Sequence, residues 1–87
     1  MQRSLATDWK WVTFECHADP GAEVFVGGTF NKWKPSRFDK LRERKQEGTY
    51  RTLLKLHKGR HEYNFRVNGA WLSDPEDSMH NSVLDVV

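Results

Sequence analysis

From His61 to Trp71 the chain alternates, with His61, Tyr63, Phe65 and Val67 interleaved with Glu62, Asn64, Arg66 and Asn68. A period of two gives a β-strand one apolar face for a core and one polar face for solvent or a ligand. Asn68-Gly69 is the pair that most readily takes positive φ at both central positions of a type I′ turn, so the chain is predicted to reverse there. Trp71 then returns beside the polar face. An indole so placed either completes the core or belongs to a ligand surface, and this stretch alone leaves both open.

Similar patterns mark the rest of the chain. Residues 9–18 read as a first strand, with Trp9, Trp11, Thr13, Glu15 and His17 opposite Val12, Phe14 and Cys16. Asp19-Pro20-Gly21 ends it with turn chemistry. A second strand covers 23–28, where Val24 and Val26 point one way and Phe25 the other, and Gly27-Gly28 permits a bulge or a close backbone approach. Residues 37–46 carry good helix formers with Phe38 and Leu41 at helical spacing, which predicts a short helix. Residues 49–56 form a strand with Tyr50, Thr52, Leu54 and Leu56 on one face. The segment 72–77 is extended or turned, since Pro75 bars Asp74 from helix, and 81–87 is a last strand. Five to seven short strands with frequent turn signals predict an all-β antiparallel sandwich.

Composition narrows the partners. The chain has 87 residues and a formal net charge of +2. A lead over 1–8 and one domain over 9–87, with a single modest core, are expected. From Lys32 to Lys45 there are seven basic and two acidic residues, so the charge is a local feature rather than a property of the whole. The single Cys16 excludes an intramolecular disulfide and alternates onto the apolar side, which predicts a core thiol. No run is long enough for a membrane helix and no signal pattern opens the chain, so a cytoplasmic location is expected.

Thr29-Phe30-Asn31-Lys32-Trp33 puts two large aromatics in a turn, where such side chains need a reason. Phe30 is expected to plug the end of the sandwich; Trp33 is not. The succession Val-Phe-Val-Gly-Gly-Thr-Phe-Asn-Lys-Trp, Lys-Gly-Arg-His-Glu-Tyr-Asn-Phe-Arg-Val-Asn-Gly-Ala-Trp, Asp-Pro-Glu and Asn-Ser-Val-Leu-Asp-Val-Val resembles the glycogen-binding domain of AMP-activated protein kinase β subunits. The wider group is the family 48 carbohydrate-binding modules, found also before the catalytic domains of branching and debranching enzymes. The resemblance runs from about Trp11 to Val87.

It implies an immunoglobulin-like, early-set β-sandwich and binding of α-1,4-linked glucans between two tryptophans, here Trp33 and Trp71. It also implies hydroxyl-bonding roles for Asn81 and Asn64, with Lys32 and Lys34 assisting from the loop. The ligand expected is an α-glucan polysaccharide or maltooligosaccharide, and the partner an amylolytic enzyme or kinase-type protein. Two departures stand out. Asn64 replaces a lysine common in relatives, and the loop over 76–80 is short. No assembly segment of a kinase complex is recognised after Val87, so a place in a kinase heterotrimer is not expected from these residues.

Catalysis finds no support in the residue types present. There is no Gly-x-Ser-x-Gly and no phosphate-binding glycine loop. Asp74, Glu76 and Asp77 read as turn acids rather than a glycosidase pair, and His17, His57, His61 and His80 lack metal-ligand spacing. No enzyme, metal or cofactor is expected. Two other readings remain: a protein-docking module without sugar binding, and nucleic-acid binding through the basic stretch 32–45, against which the small net charge counts.

Overall fold

The computed structural model describes residues 8–72 and 81–87. Of the expected lead over 1–8 all but Asp8, together with the acidic turn from Ser73 and the short loop 76–80, lies outside the described residues. Seven strands follow in order: β1 (Trp9–His17), β2 (Val24–Gly28), β3 (Lys40–Arg44), β4 (Thr49–His57), β5 (Gly59–Val67), β6 (Ala70–Trp71) and β7 (Ser82–Val86). All pairings are antiparallel, in the order β1-β4-β3-β2-β5-β6, with β7 also on β5. Among the described residues there is no α-helix, and none is long and apolar enough to cross a membrane.

The period-2 patterns dictate which faces meet. β1 and β4 form the longest ladder, from Trp9 opposite His57 to His17 opposite Thr49. Its inner row contributes Phe14, Cys16, Tyr50 and Leu56 to the core, and β2, β3 and β7 contribute Val24, Val26, Leu41 and Val86. Phe14 meets the edge of Tyr63 on β5 at 5.0 Å between ring centroids, joining the two layers across the interior. Phe30 packs into the same cluster, 5.5 Å from Phe14, where the sequence seated it. Burial raises the Cys16 thiol pKa, in keeping with a core role.

The helix expected over 37–46 is absent. In its place Arg37–Asp39 form one 3-10 turn capped by Ser36, and β3 follows. Intrinsic helix propensity is a small term, and tertiary pairing overrides it here. Leu41, 2% exposed, is drawn into the core opposite Val24 while Arg42–Arg44 pair with Arg51–Thr49. Glu43, on the same inward row, accepts hydrogen bonds from the backbone of Gly21 (2.9 Å) and Gly48 (3.0 Å). A carboxylate on a core-side row hid the alternation. Lys45 and Gln46, both with φ near +55°, then reverse the chain into β4.

At the same end, the Tyr50 hydroxyl donates to the Asp19 carbonyl (2.6 Å) and accepts from Ala22 N–H (2.9 Å), holding the β1–β2 turn. At the opposite end Asn68 and Gly69 adopt φ of 50° and 86°, as the type I′ reading required. Asn68 is tied doubly to Glu23, accepting its N–H through Oδ1 (2.9 Å) and donating to its carbonyl (2.8 Å).

Two expectations follow. Leu41→Ala improves helix propensity yet empties a core position in β3, so urea unfolding should show a loss of about 2–5 kcal/mol. Unchanged stability would mean that the segment is not packed. Hydrogen bonds from Gly21 above all, and from Gly48, hold the Glu43 pKa below its ordinary value of 4.5 against desolvation. A lowered folded pKa stabilises above the unfolded value and stops doing so as pH falls through the folded one. The urea midpoint should therefore drop on acidification below about pH 4.5, and Glu43→Gln should flatten that drop.

Candidate functional site

The outer face of β2, β5 and β6 carries the two tryptophans that the sequence singled out. Trp33 and Trp71 meet edge to face, with ring centroids 6.0 Å apart and planes at 71°. Neither belongs to the hydrophobic core cluster, and both are only partly exposed. Trp71 therefore does not complete the core. Its indole leans on the outer face.

Trp71 is placed by the hairpin register, opposite Arg66. Its ring lies over the backbone of Gly27, where a Cβ would collide with the six-membered ring and touch Pro35. Arg66 reaches between two rings on the same face, its guanidinium carbon 5.2 Å from the Phe25 centroid and 5.8 Å from Trp71, which holds the indole from the other side.

Trp33 is placed by a loop under strain. Thr29–Asn31 form a 3-10 turn, after which Lys32 and Trp33 adopt φ of 57° and 60°. Left-handed backbone costs a non-glycine residue about 1–2 kcal/mol, and for a bulky side chain it is a true outlier. The loop is held against that cost by Asn31. Its Oδ1 accepts from Gly28 N–H (2.9 Å), and its amide donates to the Val26 carbonyl and to Asp39 Oδ2, both at 3.1 Å. Asp39 also accepts from Ser36 N–H (2.8 Å). Trp33 N–H donates to the Gly28 carbonyl (2.9 Å). Gly28 is needed for close approach, since a Cβ there would strike the Glu62 carbonyl and the Phe30 ring.

The remaining sequence candidates fall around this corner. Asn64 pairs with Gly27 across the β2–β5 ladder, so its side chain shares the outer face. It is nevertheless only 8% exposed, as is Asn81, and the two amides approach each other, Asn64 Nδ2 to Asn81 Oδ1 at 3.5 Å. The polar face of β5 is thus partly covered rather than open. Lys32 and Lys34 flank Trp33 with exposed side chains. The structure brings together Trp33 with Trp71 and Asn64 with Asn81. Gly27, read from the sequence as a place of close backbone approach, supports the arrangement, as do Asn31, Pro35 and Arg66, to which the sequence reading gave no such role. For Arg66 a signal existed, because counting back from the Asn68-Gly69 turn sets it opposite Trp71.

The basic stretch 32–45 does not form one surface. Trp33 turns to Trp71, whereas Arg37, Phe38, Lys40 and Arg42 line a cleft with residues of β4.

The family described as the glycogen recognition site of AMP-activated protein kinase matches residues 11–85. The chain belongs to this glycogen-recognition family. It is 33% identical over 86 residues to the mouse 5'-AMP-activated protein kinase subunit beta-2, covering 99% of this chain and 28% of that protein. It is 34% identical over 67 residues to the rat subunit beta-1, covering 77% and 23%. A third relative is the chloroplastic protein FLOURY ENDOSPERM 6 of rice, 38% identical over 58 residues, or 67% of this chain and 10% of that one. The chain thus spans about a quarter of the kinase subunits that it matches. The all-β sandwich fits this glycogen-recognition family, whose members are non-catalytic binding modules.

Because Gly28 faces a backbone carbonyl that cannot step aside, Gly28→Ala should destabilise the fold by about 1–3 kcal/mol through overpacking. It should also move the Trp33 loop. Tryptophan emission and urea unfolding check both, and an unchanged spectrum with unchanged stability would contradict the close approach.

Proposed function

We propose that residues 9–87 act as one non-catalytic module that binds α-1,4-linked glucans of the glycogen and starch type and holds an associated enzyme or kinase-type complex on the polysaccharide. The observation that carries this reading is the corner of Trp33 and Trp71. A pyranose has a weakly apolar C–H face that stacks on an indole and a hydroxyl rim that takes amides and charged donors. Two rings at 71° suit sugars that turn from one residue to the next, as α-1,4 linkages make them. A flat β-1,4 chain presents coplanar faces and can cover only one ring at a time.

In this reading Asn64 and Asn81 offer amide edges from the floor of the corner and Lys32 and Lys34 add donors from the loop. The low exposure of the two amides leaves most of the contact area to the indoles. With Asn64 in place of a lysine, one charged donor is lost. A shallow corner with few polar anchors gives an affinity on the order of micromolar to millimolar, about −4 to −8 kcal/mol. We place the module in the cytoplasm, where a single reduced thiol is unremarkable.

Calorimetry with maltoheptaose and β-cyclodextrin tests the proposal, with cellopentaose as the linkage control. The α-linked sugars should bind with little dependence on salt, and Trp33→Ala or Trp71→Ala should each weaken binding at least about tenfold while leaving the far-ultraviolet circular dichroism unchanged. Undiminished binding by the double variant would put the site elsewhere.

A further inference from the structure

The opposite outer face, on β1, β4 and β3, carries a cleft of about 440 Å³ lined by Arg37, Phe38, Lys40, Arg42, Arg51 and Leu53. Four of these side chains are cationic. Arg51 is engaged, donating to Glu15 Oε2 at 2.5 Å across the β1–β4 ladder. For Arg37, Lys40 and Arg42, no carboxylate among the described residues lies within ion-pair distance. Arg42 moreover sits directly opposite Arg51 in the β3–β4 ladder. Like charges facing each other across strands destabilise a sheet, so three strands read Arg42, Arg51, Glu15 in a row with one cation in excess. Among the described residues, no further ion pair offsets that excess.

Apolar surface lies beside these charges. Phe38 is 72% exposed and Leu53 58%. A second hollow of about 300 Å³ continues from Leu53 over Thr13, Thr52 and the Arg51 stem. Trp11, 68% exposed, projects from the same outer row of β1 as Thr13. The surface therefore gathers cations at the β3 end, while towards β1 exposed Trp11 and Leu53 stand beside Lys55 and Glu15.

We infer that this cleft is a second binding surface, which takes an acidic segment of a partner protein with its carboxylates against Arg37, Lys40 and Arg42 and a neighbouring apolar side chain against Phe38 and Leu53. A neutral glucan gains nothing from the cations. A nucleic-acid backbone needs positive charge along its whole path, and here the row Arg42, Arg51, Glu15 ends in a carboxylate. Arginine suits the task, because its planar fork meets a carboxylate through two hydrogen bonds.

The test is a titration of the 15N-labelled chain with a doubly capped peptide of sequence Asp-Glu-Asp-Leu-Phe, followed by amide shifts. Its comparators are the same peptide with lysines for the acids, a single-stranded DNA oligomer and maltoheptaose. The acidic peptide should shift amides around Arg42, Arg51 and Leu53, and its affinity should fall at least about fivefold between about 50 and about 300 mM salt. Arg37→Glu with Arg42→Glu should weaken it at least about tenfold and leave maltoheptaose affinity unchanged. Arg42→Thr removes the like-charge pair, so it should weaken the peptide while the thermal midpoint stays or rises; a lowered midpoint would mark Arg42 as structural. Absence of shifts at millimolar peptide, shifts confined to the Trp33 and Trp71 face, equal binding of the basic peptide, or tighter binding of DNA at these residues would each overturn the inference.

Discussion

Leu41 sits where β3 passes from pairing with β2 to pairing with β4, and its burial at that seam holds the two layers as one hydrogen-bonded path. Without the seam the long β1–β4 ladder and the β2–β5 sheet would be joined only by side-chain packing between their faces. With it, every strand of the path is tied by backbone hydrogen bonds to the next, and the register of one layer sets that of the other. Glu43 extends the same logic two residues on, replacing an apolar side chain by a carboxylate that collects two backbone N–H groups at the open end of the sandwich.

The tryptophan corner draws on that frame. Trp71 comes from a hairpin whose turn residues fix its register, and Trp33 from a loop that would not hold its conformation unaided. Asn31 spans the distance, bonding to β2 on one side and to Asp39, the residue before β3, on the other. A rigid presentation of two indoles loses little entropy when a ligand arrives. The strain at Lys32 and Trp33 is stored where recognition is proposed, a common arrangement in functional loops.

Alternation made most of the strands legible, because each has one face in the core and β-branched or aromatic residues to fill it. β1, β2, β4 and β5 fall within one or two residues of the sequence reading. β3 was hidden for a physical reason: its inward row is Leu41 and Glu43, so only one apolar residue reported the period, and the flanking charges are all good helix formers. The two tryptophans were legible as large apolar side chains in polar settings. Their mutual angle was not, since it depends on Gly27 and Pro35 lying beneath one ring and on left-handed backbone beneath the other. The burial of Asn64 was equally out of reach, because a polar residue on an outward row gives no sign that Asn81 will fold over it.

β1 ends the sheet, and among the described residues it has β4 as its one strand neighbour. Among the described residues, half of its backbone N–H and C=O groups thus face no strand, the kind of edge on which two copies of a chain can zip together. Lys10 stands on the core-side row of that strand, in line with Val12, Phe14 and Cys16, yet remains exposed. A second copy laid along the edge would have to bury that ammonium group. If the module gathers on a polysaccharide as proposed, copies meet at high effective concentration, and a charged side chain on the inward row of an edge strand works against their pairing.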